Sequence, residues 1–559
     1  MALPAALFTL LTASHALDNG LAARPGLGWN SDYCTSCVSS SSSSADSSSY
    51  PLRGFENEAF IKHIAQYINS SGLQALGYTN VNMDSLWDLP DRDANGDLQP
   101  DPSLWPSGFS YIVDFVHSYG LGFGVYGDRG TLDCNKCPGQ LGHEEQDAAF
   151  FAKNGIDWFK SDSCYASPDP ETAFAEYGAM RDALNKTGRR IWFALCGWNS
   201  FYAWQPPGGG GTTLGNSWRV NVDTGGGWGP IMSNMDAMLH GGPNKTSLAP
   251  YARPGGWSDM CLLLNPGMGN GPNLMSKDRH RSQFGLHCIF NANMLLTGNL
   301  SALDPYVLAT WGNVEAVAIN QDVANTFIQL PLDSTPPLRF TPASVAECGG
   351  EPAGQTWKFN VPATDYLNNA ANNVCLNVAN CETEVIYDGC TTGKTCNPPG
   401  EYYNQQWTLD ARGALVSALP GGPCATVDPD GTVTLTACAS PPSSAQVWRY
   451  TNSSGQLVLV ADGRCLTVNA PPPPSWESVA VGRELEDGSW ALFGLNNANS
   501  SAPLVCGQPC LDAMGLYGKT LKIRDVWAHQ DLPQVSGATE LQLPAPPNGG
   551  SAFWRLISA

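Results

Sequence analysis

Asp162, in the segment GIDWFKSDSCY, and Asp223, in GNSWRVNVD, each stand at the end of a short apolar run that reads as a β-strand. Two carboxylates brought over one cleft are the minimal equipment for retaining glycoside hydrolysis, one as nucleophile and one as proton donor. A lone aspartate after a strand more often caps a helix or turns a loop, so the surrounding residues decide the reading. Lys160 lies two residues before Asp162, shares its face of the strand, and is placed to hold Asp162 ionised and to donate to a sugar hydroxyl. Asp223 has to carry a proton when substrate arrives, and an ionised Asp162 beside it shifts its titration in that direction. The expected separation of the two carboxyl groups is about 5 to 6 Å.

The elements that must position these residues alternate. Strand-like runs occur at 79–84, 121–128, 156–162, 190–196 and 218–223, and the intervening segments 109–120 and 144–155 have helical apolar spacing. Alternating strand and helix implies a parallel sheet, and about eight such units over roughly 300 residues fit a (β/α)8 barrel, an α/β fold. Asp84, Asp128, Asp162, Cys196 and Asp223 then share the C-terminal face of the barrel. The Ser-rich stretch 39–49 interrupts the pattern as a surface loop.

Composition narrows the partners. The 559-residue chain has 29 basic and 50 acidic side chains and a formal net charge of -21, which argues against nucleic acid and anionic membranes. Residues 1–16 read as a signal peptide too short to span a bilayer. Eighteen cysteines and sequons at Asn69, Asn185, Asn244, Asn299, Asn452 and Asn499 also point to the secretory pathway, and hence to a secreted or vacuolar/lysosomal protein with no membrane insertion.

After about residue 335 the sequence becomes Cys-rich, with three copies of one unit: Q-x-W at Trp357, Trp407 and Trp448, followed by C-[LA]-x-V at Cys375, Cys424 and Cys465. Three copies imply threefold symmetry. Cys438 falls between Cys424 and the next Q-x-W, which pairs Cys424 with Cys438. The last unit lacks a following Q-x-W and the first lacks an opening strand, so Cys348 joined to Cys465 closes the module in a circle. By the same logic Cys375 pairs with Cys390, with Cys396 as competitor; Cys34, Cys37, Cys137 and Cys381 stay unassigned. APPPPSW (470–476) reads as a stiff linker to an antiparallel β-domain.

The motifs LGYTNVNMDSLW, DPSLWPSGFSYIVDFVHSYGLGFGVYGDRGT, PGQLGHEEQDAAFFAKNGIDWFKSDSC, LGNSWR, RPGGWSD and VAINQD resemble the melibiase-type α-galactosidases of glycoside hydrolase family 27. The repeat resembles the ricin-type β-trefoil, inserted into that frame. The resemblance implies four segments: a signal peptide at 1–16, the barrel at 17–330, the trefoil at 340–470, and the antiparallel β-domain at 477–559. It implies Asp162 as nucleophile and Asp223 as acid/base in the hydrolysis of terminal α-galactosyl residues. Asp84, Tyr126, Lys160, Arg219, Gly197 and Asp259 line the sugar site, and a Cys134–Cys164 disulfide pins a loop beside the nucleophile. It implies no cofactor and no metal, and galactoside oligosaccharides or glycoconjugates as partners.

Several positions depart from that pattern. Asp32 stands where the family has a stacking Trp, Ser85 replaces a second Asp, Gly197 replaces a Glu, and Cys261 replaces a second Asp after Asp259. Small residues at Gly197 and Ser200 resemble the α-N-acetylgalactosaminidases, which makes that activity, or β-L-arabinopyranosidase, the alternative. In the trefoil, sugar-binding relatives carry Asp where this chain has Asn377, Thr426 and Thr467, which counts against carbohydrate binding by that module. A catalytically weak galactose-binding lectin is the rival from another class. DGCTTGKT (388–395) is one residue short of a P-loop, and CTSC (34–37) with CNKC (134–137) suits disulfides better than zinc in a secreted chain.

Overall fold

The computed structural model describes residues 19–32, 57–269, 271–332, 343–349, 354–359, 365–369, 374–378, 385–389, 404–467 and 478–558. The signal segment, the Ser-rich stretch, CTSC, most of DGCTTGKT, Cys381, Cys390, Cys396 and the Pro-rich linker lie outside them.

Eight parallel strands form the first sheet: β1 Leu27–Asn30, β2 Asn80–Asn82, β3 Gly122–Asp128, β4 Trp158–Asp162, β5 Trp192–Leu195, β6 Ser217–Arg219, β7 Trp257–Asp259 and β8 Met294–Leu296. β1 to β7 pair consecutively, and β1 also pairs with β8. A parallel bridge from Leu263 to Leu296, just past β7, completes the circle. The result is the expected barrel. Helices follow most strands: α1 Glu58–Ser70, α2 Phe109–Ser118, α3 Glu144–Lys153, α4 Pro170–Lys186, α5 Trp228–His240 and α6 Lys277–Ile289, with Pro305–Trp311 and Val314–Gln321 after β8. Their starts are written in the sequence: Asn57 and Asp169 accept the backbone N–H groups of Phe60 and Thr172 at the first turns of α1 and α4. After β5 the connection holds only 3-10 turns at Ser200–Ala203 and Gly211–Thr213. The intervening QPPGGGG removes amide donors and favours turns over a helix.

Period-2 alternation in β4 sends Phe159 outward, where it packs on Phe151 and Phe193, ring centroids 4.6 and 5.8 Å away. Trp158, Lys160 and Asp162 point inward. Trp158 stacks on its register partner Trp192 at 4.4 Å, forming a hydrophobic floor with Lys160 and Asp162 above it. Gly26 leaves room for these wide rings: a Cβ there would lie 2.9 Å from Cη2 and Cζ3 of Trp158 and 3.1 Å from Cη2 of Trp192.

The Cys-rich segment has its own core, in which Trp357, Trp407 and Trp448 are fully buried. Their indole N–H groups donate to the carbonyls of Leu466, Leu376 and Ala425, each the residue after a C-[LA]-x-V cysteine. Trp357, from the first unit, uses the last unit's strand, and Ser344–Ala346 pairs antiparallel with Cys465–Thr467. Cys348–Cys465 and Cys424–Cys438 are disulfides, as the repeat requires. Cys375 is also disulfide-bonded, while Cys390 lies outside the described residues. A further bridge, Cys506–Cys510, spans a short turn in the C-terminal domain.

The last domain is a six-stranded sheet with a separate two-stranded one. Ile328–Leu330, which precedes the trefoil, pairs with Ser478–Glu484, which follows it. The trefoil is thus inserted between adjacent strands of one sheet. The sheet is fastened to the barrel by Arg483, fully buried, which donates to the carbonyls of Cys288 and Ile289 at the end of α6 and of Ile319 in Val314–Gln321. A cation here meets the negative ends of two helices. Among the described residues no helix is long and apolar enough to cross a membrane.

Candidate active site

At the C-terminal face, Asp162 is 5% exposed and is held from two sides. The Tyr126 hydroxyl donates to its Oδ2 at 3.1 Å, and the Ser163 N–H donates to Oδ1 at 2.9 Å. Lys160 Nζ lies 2.9 Å from Asp84 Oδ2 and over the Tyr126 ring, 4.9 Å from its centroid. Asn30 donates to the same Asp84 oxygen at 3.1 Å, and the Asp84 N–H donates to Ser31 Oγ at 2.8 Å. Sequence reasoning passed over Asn30 and Ser31; their signal was their position at the C-terminal end of β1. Ser85, in place of a second carboxylate, donates to Asp133 at 2.7 Å and so ties β2 to the loop after β3.

Burial pushes the Asp162 carboxyl up to about 6; Lys160 pulls it down, and the nearby Asp223 carboxylate pushes it further up. This corrects the expectation that Lys160 settles its charge. The ammonium group spends its direct contact on Asp84, and desolvation dominates at Asp162. Lys160 itself loses solvation too, yet the Asp84 carboxylate drives its pKa well above the ordinary lysine value. Asp128, in register with Asp162, is pushed up to about 7, first by burial and then by Asp162. Its oxygens accept the Cys164 and Gly130 N–H groups at 2.6 and 2.7 Å, which fixes the two loops that Cys134–Cys164 joins. Asp128, Cys134, Asp162 and Cys164 present ligand atoms within 4.8 Å of one another, but the two sulfurs are spent on each other.

Asp223 is not at a strand end. β6 stops at Arg219, because beyond Val220 the chain is drawn toward α5: Asn221 donates to the Ser233 carbonyl and Asn234 to the carbonyl of Val222. Asp223 is thereby set on a loop over the site with its side chain 53% exposed, ion-paired to buried Arg219. Arg219 Nε also faces Asp259 Oδ1 at 3.7 Å. Cys261 donates its backbone N–H to that Asp259 oxygen at 2.7 Å.

Gly197 has a different role from the one its size suggested. A Cβ there would lie 2.0 Å from Cε2 of Tyr202, so the Tyr202 ring already fills the space that a small residue opens. Ser200 packs against Gly241 at the end of α5, where a Cβ would lie 2.5 Å from its own.

A barrel whose C-terminal face gathers Asp162, Asp223, Lys160 and Arg219 has the architecture of a glycoside hydrolase. The sequence model of the alpha galactosidase A family matches residues 42–322; those of the ricin-type beta-trefoil lectin domain and the alpha galactosidase C-terminal beta sandwich domain match 394–481 and 477–556. The chain belongs to the alpha galactosidase A family. Alpha-galactosidase 2 of Arabidopsis thaliana is 37% identical over 308 residues, 55% of this chain and 69% of that one. An alpha-N-acetylgalactosaminidase of Gallus gallus is 34% identical over 310 residues, 55% of this chain and 72% of that one. In structure the chain is similar to alpha-galactosidase I from Mortierella vinacea, with a TM-score of 0.59, 19% identity, and coverage of 97% of this chain and 99% of that one.

Proposed function

We propose that the chain is a retaining exo-α-galactosidase with Asp162 as nucleophile and Asp223 as acid/base. The observation that carries this reading is a buried carboxyl at the end of β4, oriented by Tyr126 and Ser163, close enough to feel the charge of a second, half-exposed carboxyl on the loop after β6. Asp162 attacks the anomeric carbon while Asp223 gives its proton to the glycosidic oxygen, and the aglycone leaves. Asp223 then takes a proton from water as that water attacks the same carbon, releasing Asp162. An exposed Asp223 suits a group that must meet both the leaving group and water. Lys160 and Asp84, locked together, form one wall for the sugar hydroxyls; Arg219 with Asp259 forms the other.

The second reading, an α-N-acetylgalactosaminidase, is favoured by the Gallus gallus relative, whereas Tyr202 beside Gly197 favours the smaller 2-hydroxyl. Hydrolysis of nitrophenyl α-galactoside, its N-acetyl analogue and β-L-arabinopyranoside side by side separates these and a lectin, which turns over none. Asp162→Ala and Asp223→Ala each abolish turnover of an alkyl α-galactoside. A good leaving group restores glycosyl-enzyme formation in Asp223→Ala alone, and equal rescue of both variants refutes the roles.

For the trefoil, the side chains at the sugar-binding positions are already occupied. Thr467, fully buried, holds Gln355 at 3.1 Å, Thr426 holds Gln446 at 3.0 Å, and Asn377 holds Asn404 at 2.7 Å. These contacts support a structural role for the module over carbohydrate binding. The disulfides fit passage through the secretory pathway to a secreted or vacuolar/lysosomal destination.

A further inference from the structure

Cys261 stands in the inner wall of the site, 1% exposed, with a left-handed backbone at φ 71° that bulky residues seldom adopt. That turn aims its N–H at Asp259 Oδ1 (2.7 Å) and brings Sγ within 3.4 Å of the Thr224 N–H and 3.9 Å of Asp223 Oδ1. Thr224 is the residue after Asp223, so one side chain touches the carboxyl and the backbone that carries it. Asp223 otherwise sits on an exposed loop, ion-paired to Arg219.

We propose that Cys261 is a positioning residue for Asp223, its sulfur accepting the Thr224 N–H while its S–H points at Asp223 Oδ1. The inference rests on the acid/base reading of Asp223. A thiol suits the place because it is neutral: burial pushes it up to about 11, opposed by Arg219. The groups around Asp223 are then Arg219, Asp259, Asp162, Cys196 and Cys261, and Arg219 keeps Asp223 and Asp259 as its two carboxylate partners.

The test compares Cys261→Ala and Cys261→Ser with wild type on methyl α-galactoside, which needs proton donation, and on 2,4-dinitrophenyl α-galactoside, which does not. Misplacing an acid/base group by a fraction of an ångström predicts that Cys261→Ala loses about 10- to 100-fold in kcat/KM, which reports glycosyl-enzyme formation, on the methyl glycoside, and under about 3-fold on the dinitrophenyl one. Cys261→Ser, which keeps a donor and an acceptor, falls between. Unchanged kcat/KM on both substrates, an equal fall in it on both, or Ser no better than Ala overturns the proposal; melting curves identify an equal fall caused by misfolding. Asp223→Ala on the same substrates is the control. If it shows no dependence on the leaving group, the acid/base reading itself fails; if it does and Cys261→Ala does not, only the positioning role falls.

Discussion

Lys160→Met removes the ammonium group above the Trp158 floor, nearly keeps the length of the side chain, and tests how the nucleophile is kept ionised. Lys160 Nζ bonds Asp84 Oδ2 and pulls the Asp162 pKa down against burial, which has already pushed it to about 6. Two residues along a strand span about 7 Å, where Coulomb's law at an effective dielectric near 20 gives about 2 kcal/mol, or roughly 1.5 pH units. Asp84 neutralises part of that field, so the expected effect on Asp162 is about 1 unit. The sign is fixed: losing a positive charge disfavours the carboxylate, so the pKa rises. The assay is the pH dependence of kcat/KM for 2,4-dinitrophenyl α-galactoside, whose cleavage needs an ionised Asp162 but no proton donor. The acidic limb should lie near pH 6 in wild type and near pH 7 in Lys160→Met, with an added loss at the plateau from the broken wall of the sugar site. A limb that stays within about 0.3 unit of wild type, or moves to lower pH, refutes the account.

Asp162 and Asp128 bind protons more tightly folded than unfolded, so the stability they contribute is complete below the unfolded carboxyl value and is lost as pH rises through about 6 and 7. Asp162→Asn should therefore raise Tm at pH 7.5 and leave it nearly unchanged at pH 4, read by calorimetry at both; the opposite order contradicts the burial argument. Cys348→Ser with Cys465→Ser opens a loop of sequence separation 117 and should cost the trefoil about 5 kcal/mol in the chain-entropy model, seen as earlier proteolysis of 343–467, while kcat/KM on galactosides stays within about 2-fold. Gly197→Glu should depress galactoside and N-acetylgalactosaminide cleavage together, because the new side chain meets the Tyr202 ring; selective loss on the acetamido sugar would restore the open-space reading.

The barrel was legible because period-2 strands and helical spacing are local signals: β3 and β4 fall where alternation puts them, and Asp162 ends its strand as read. Where a long-range contact overrides the local pattern, the reading slipped. WRVNVD alternates like a strand to its end, but Asn221 and Val222 are claimed by α5, twelve residues further on, and this lifts Asp223 out of the sheet. Gly197 was read by size alone, since no spacing rule says which ring from Ser200–Ala203 folds back over it. Tertiary burial likewise sets the charge of Asp162, and adjacency in sequence made Lys160 look like its partner when Asp84, seventy-six positions away, takes the bond. The trefoil is the opposite case: its closure is long-range, yet a threefold repeat constrains geometry as strongly as a neighbour does. A first unit without an opening strand and a last unit without a Q-x-W can satisfy their cysteines, their strand edges and the Trp357 indole only against each other, as Cys348, Ser344–Ala346 and Leu466 do.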